Sequence, residues 1–110
     1  MSVTQYFDLA NPPPHVPGVY KLRLYVTGST ARSVRALANV KRICEEHLGG
    51  RYRLEVIDLY QQPALASSEQ ILAAPTLVKK FPLPLRRIIG DMSDQQRVLR
   101  GLDVAAPMVH

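Results

Sequence analysis

The stretch from Tyr20 to Leu59 carries two apolar patterns of different period, and their order leaves few folds open. Tyr20, Leu22, Leu24 and Val26 alternate with Lys21, Arg23 and Tyr25. That period of two predicts a half-buried strand. Thr27-Gly28-Ser29 ends it. From Thr30 or Ala31 to Leu48, Val34, Leu37, Val40, Ile43, Cys44 and Leu48 recur at three- and four-residue spacing. Arg32, Arg35, Lys41, Arg42, Glu45 and Glu46 fall mostly on the opposite side, so the segment reads as one amphipathic helix. Ser29 or Thr30 can cap its start and Gly49-Gly50 its end. Tyr52 to Leu59 then gives a second strand centred on Leu54, Val56 and Ile57. Strand, helix and strand within about 40 residues make a βαβ unit, whose strands run parallel.

The second half is built of shorter pieces. Pro63 suits a first helical turn, and Leu65, Ile71 and Leu72 support a helix from Pro63 to Ala73 that Ser67-Ser68 weakens. Thr76 to Phe81 and Arg86 to Ile89 read as strands. Pro82-Leu83-Pro84 between them forces a turn and predicts a hairpin. Ser93 with Gln96 forms a capping box for a last helix ending near Leu102, with Val98, Leu99 and Leu102 on one side. Gly101 weakens that helix by up to ~1 kcal/mol relative to Ala. The order β-α-β-α-β-β-α, with Ala74-Pro75-Thr76 just before the third strand, resembles that of a thioredoxin-like α/β domain. A mixed sheet with helices on both faces fits it, and Ala74-Pro75 is a candidate cis bond.

Redox members of that fold place a Cys-x-x-Cys pair after the first strand. Here the turn reads Thr27-Gly28-Ser29-Thr30-Ala31-Arg32-Ser33 and has no sulfur. Thr30 and Ser33 stand near the cysteine positions, but disulfide exchange needs a thiolate. Helix capping is the simpler role for them. Cys44 is the one cysteine of the chain and sits by the apolar stripe of the first helix, where a free cysteine packs as a small hydrophobe. His15, His47 and His110 are far apart, and no metal or cofactor site is expected. A phosphate-binding G-x-x-x-x-G-K-[ST] loop is absent. The expectation is a binding module with no catalytic residue.

The net charge of +5 suits an acidic protein surface as well as a nucleic acid. Neither an RNP-like aromatic pattern nor a helix-turn-helix nor a zinc finger is present, so nucleic-acid binding is the weaker expectation. Lys79-Lys80 and Arg86-Arg87 flank the proline turn. They either solvate a sheet edge or anchor an acidic partner. Residues 1–18 are expected to be a flexible, Pro-rich head, because Asn11 to Gly18 cannot take regular structure. Residues 19–104 form the domain, and 105–110 a short tail. No apolar run reaches a membrane span and no leader pattern is present, so cytoplasmic residence is expected.

Several segments resemble the KaiB family of circadian-clock proteins: Leu22 to Gly28, Ser33 to Leu37, Glu55 to Asp58, Ile71 to Leu77, Pro82 to Asp91 and Val98 to Asp103. The run Pro82-Leu83-Pro84-Leu85-Arg86-Arg87-Ile88-Ile89-Gly90-Asp91 is the most specific. The resemblance implies a non-enzymatic clock adaptor that binds the hexameric ATPase KaiC and modulates its phosphorylation and ATPase cycle. KaiA or a clock histidine kinase are further implied partners. A KaiA-independent timing or stress pathway is the alternative, as is a redox-inactive thioredoxin-like binding protein. It also implies metamorphism: a free homo-oligomer, a tetramer or dimer, holds the C-terminal half in another fold, while the KaiC-binding form is thioredoxin-like. Glu69, Gln70, Leu72, Lys79, Arg86, Arg87 and, more weakly, Arg35 are the implied partner contacts. Tyr25, Pro75, Pro82, Pro84, Gly101 and Asp103 are implied to tune fold and assembly. Ala66 to Gln70 replaces a more charged family helix, and Gln70 stands where a lysine is common, so partner choice is expected to differ.

Overall fold

The computed structural model describes residues 3–5 and 19–104. Five strands, β1 (Val3–Gln5), β2 (Tyr20–Val26), β3 (Tyr52–Asp58), β4 (Thr76–Phe81) and β5 (Arg86–Ile89), form one sheet in the order β1-β3-β2-β4-β5. β2 and β3 are parallel, as the βαβ reading requires, and the other pairings are antiparallel. β1 is an edge strand within the segment read as an irregular head. Asn11 to Gly18 lies outside the described residues.

The helices are α1 (Ala31–Leu48), α2 (Ala64–Ser68) and α3 (Gln95–Gly101). α1 and α3 share one side of the sheet. There Ala36, Val40, Ile43, Cys44 and Leu48 pack with Val98 and Leu102 against Leu22, Leu24, Leu54, Leu77 and Ile88. A fully buried aliphatic side chain of this kind contributes about 1.5–3 kcal/mol. α2 covers the other side, closing Leu65 and Ala66 over Tyr25, Ile57, Ile71 and Val78. Tyr25 therefore leaves no surface exposed, although the alternation placed it on the polar side of its strand. The strand is solvent-facing only at its start.

Two helix boundaries differ from expectation. α2 stops at Ser68 rather than Ala73, because Gln70 takes a left-handed backbone (φ 56°) that ends the turn and swings Ile71 inward. α3 is capped by Asp94, not Ser93: the Asp94 carboxylate accepts from the Arg97 N–H at 3.1 Å. Ala74-Pro75 is cis, and so are Phe81-Pro82 and Leu83-Pro84.

Candidate partner interface

The turn after β2 uses its hydroxyls for structure. Thr30 caps α1, accepting from the Ser33 N–H at 3.4 Å, and donates its own hydroxyl to Ser33 Oγ at 2.9 Å. Ser33, buried, also accepts from the Thr27 N–H at 3.1 Å. Gly28 has φ 59°, and a Cβ there would meet the Tyr60 ring at 2.8 Å. Its N–H donates to Asp58 Oδ1 at 2.9 Å. Cys44 is buried on α1, away from this turn, and burial pushes its thiol up to about 12. A thiol held protonated is a poor nucleophile.

The most exposed large apolar side chain of the described residues lies after α2. Leu72 is 94% exposed. Its loop is held by β5: the Arg87 guanidinium donates to the Gln70 carbonyl at 2.6 Å and the Glu69 carbonyl at 3.0 Å. A shallow cleft of about 560 Å³ lined by Ala66, Ser67, Gln70, Ile71, Leu72 and Arg87 results. Ile89, two residues along the same face of β5, is half exposed, and Leu83, Leu85 and Phe81 are exposed on and beside the hairpin turn. Beneath the loop, Glu69 accepts from Lys80 at 3.2 Å and Tyr25 Oη at 3.3 Å. The Lys80 hydrogen bond is the main reason its carboxyl titrates below the usual range. Burial raises the Tyr25 phenol in turn.

A second cluster lies across the sheet. Lys79, with no exposed surface, pairs with the Asp103 carboxylate, which also accepts from Arg86 at 3.2 and 3.3 Å. Both cations, Lys79 first, hold that carboxyl below the ordinary aspartate value. Gly101 lets α3 lie close to β5, because a Cβ there would overlap the Ile88 side chain.

The KaiB domain family model matches residues 23–104. The chain belongs to the KaiB family. It is 54% identical over 83 residues to the circadian clock protein KaiB3 of Synechocystis sp., covering 76% of this chain and 81% of that protein. It is 55% identical over 85 residues to the circadian clock oscillator protein KaiB of Synechococcus elongatus, covering 77% and 83%. In fold it is similar to the N-terminal domain of Synechococcus elongatus SasA (TM-score 0.68, 22% identity, covering 90% of this chain and 96% of that one). It is also similar to mitochondrial thioredoxin 3 of Saccharomyces cerevisiae in its oxidised form (TM-score 0.62, 15% identity, 77% of each).

The residues implied by KaiB resemblance separate into three groups. Glu69, Gln70, Leu72 and Arg87 come together around the α2–β4 loop. Lys79 has no exposed surface in this arrangement: neighbouring residues of a strand point to opposite faces, and Lys79 points to Asp103 while Lys80 points to Glu69 on the other face. The same alternation splits Arg86, toward Asp103, from Arg87, toward the loop. Arg35 lies apart on α1, donating to Asp91 at 3.3 Å. Ile89 was missed by sequence reasoning, although the inward-facing Ile88 beside it implies its outward side. Of the residues implied to tune folding, Pro75 is buried and its carbonyl accepts from the Gly90 N–H at 3.0 Å. Pro82 and Pro84 form the β4–β5 turn.

Proposed function

We propose that this KaiB-family chain is a non-enzymatic adaptor that docks on a KaiC-type hexameric ATPase and modulates its cycle. The docking face is the loop of Gln70 and Leu72 with Arg87 and Ile89 beside it. The observation that carries the reading is Leu72, a large apolar side chain fully presented on a loop that Arg87 fixes through backbone carbonyls. An exposed leucine at a fixed position loses little entropy on binding, and burying it supplies affinity. Glu69 supports the loop from beneath rather than reaching outward.

On this reading the thioredoxin-like arrangement described here is the ring-binding form, and a free homo-oligomer with a repacked C-terminal half is its competitor. Gly101 and Asp103 already make contacts in this form. Substitutions there favour it only where the alternative packing loses more.

The test mixes the chain with the KaiC-type ATPase of its own genome and ATP, followed by gel filtration with light scattering. A complex of one copy per ring subunit is expected. Leu72→Asp is expected to weaken it by about tenfold or more, in the range of interface anchors. Absence of a complex, with the chain staying in its own oligomer, overturns the reading.

A further inference from the structure

β5 is a terminal strand of the sheet, and α3 packs beside it. Between them lies a cleft of about 330 Å³ lined by Arg86, Arg87, Ile88, Arg97, Arg100 and Gly101. Four of those six residues are arginine, and no acidic side chain of the described residues joins them. We propose that this cleft binds a phosphate monoester, the group carried by a phosphorylated serine or threonine of a partner protein.

The fold fixes most of the binding groups before any ligand arrives. Arg86 is held by Asp103 at 3.2 and 3.3 Å. Arg97 donates through Nη1 to the Ile89 carbonyl at 2.8 Å. Arg100, one turn further along α3, is exposed, and its side chain makes no hydrogen bond or ion pair among the described residues. Arg87 turns its guanidinium to the other face of the sheet, toward the Gln70 carbonyl, and offers this cleft its main chain. The Gly90 N–H donates toward β4, to the Pro75 carbonyl. Main-chain groups alternate in direction along an antiparallel strand, so those of Ile89 and Arg87 point away from β4. The Ile89 carbonyl accordingly meets Arg97, and the Arg87 N–H is an outward donor at the rim of the cleft.

Charge and shape select the ligand. Asp103 serves both Lys79 and Arg86, so that trio keeps one positive charge. Arg97 and Arg100 form no ion pair among the described residues. A phosphate monoester carries about −1.5 to −2 at neutral pH on three acceptor oxygens, where a carboxylate offsets a single cation. The planar guanidinium fork matches phosphate oxygens in pairs, and donors already held in place lose little entropy on binding. A nucleotide base needs an aromatic platform, and no aromatic side chain lines the cleft. A partner strand adding to β5 needs the edge carbonyls, and Arg97 occupies that of Ile89. The site lies on the α3 side of β5, opposite the Leu72 loop, and does not depend on docking to the ATPase ring.

The experiment is an amide NMR titration with a peptide carrying one phosphoserine among Gly and Ser, at physiological salt. It is read on the form whose spectra show the Val78–Arg87 cross-strand contact. Saturable shifts are expected at the amides of Arg86 to Ile89 and of Arg97 to Gly101. Arg100→Gln is expected to weaken binding about tenfold, as loss of a charge-assisted hydrogen bond does. Arg32→Gln removes the same charge from an exposed α1 position and is expected to change binding less than about twofold, because salt screens a distant charge. Arg100→Lys, which keeps the charge without the fork, is expected to fall between them. Equal losses from Arg100→Gln and Arg32→Gln would mean general charge attraction and overturn the proposal. So would equal binding of the peptide with Glu in place of phosphoserine, tighter binding of inorganic phosphate than of the phosphopeptide, or no shift at these amides.

Discussion

Asp103 closes the molecule at its C-terminal end by serving two cations of different kinds. Lys79 is enclosed and Arg86 is partly solvated. Removing the acceptor strands a buried ammonium, which costs far more than the pair itself contributes. Asp103→Asn is therefore expected to lower the melting temperature by several degrees. Lys79→Met, which removes the buried charge and keeps the bulk, is expected to lower it less. The acid response carries a further signature. Because the folded carboxyl lies below the ordinary aspartate value of about 3.9, its contribution is complete above that pH and is lost as the pH falls through the folded value. Thermal melts followed by circular dichroism should show the gap between parent and Asp103→Asn closing over that acid range. A gap that persists at the lowest pH would assign the effect to packing. Nothing in the sequence announced this pair, since a lysine in a strand reads as surface and its partner lies in another element.

Among the elements, β2 to β5 and α1 match the reading of their apolar patterns, whereas β1, three residues long, has no counterpart in that reading. The alternation of β2 and the prolines bracketing β4 and β5 fixed their limits, because a sheet filled on one side by α1 and α3 leaves little freedom of register. α2 is shorter than its apolar spacing suggests. Ile71 fits a helical stripe in sequence, but it reaches the core only after Gln70 has turned the chain. The start of α3 turned on a choice between adjacent cap formers, and there the side chain of Asp94 reaches the Arg97 N–H. Asp94→Ala should cost about 1 kcal/mol of stability in a urea titration, the usual worth of an N-cap. Ser93→Ala should cost less than half as much. The reverse order would restore the capping box predicted from Ser93 and Gln96.

At the scale of the whole molecule, the two sides of the sheet are unequal. The α1–α3 side is sealed, and Cys44 lies within it at zero exposure. Cys44 should therefore react with Ellman's reagent only through opening of that core, at a rate that rises with urea as the folded population falls. Rapid labelling in native buffer would show the core to be looser than its packing indicates. Among the described residues, the α2 side is covered by one five-residue helix and carries the Leu72 loop. Arg87 binds that loop through the carbonyls of Glu69 and Gln70, groups that every amino acid possesses. The latch therefore uses no side chain of the loop itself. Leu72 can change without unfastening it, whereas Gln70, whose backbone is left-handed, accepts chiefly residues that tolerate that conformation, so the two positions are free to drift to very different degrees on one inherited scaffold.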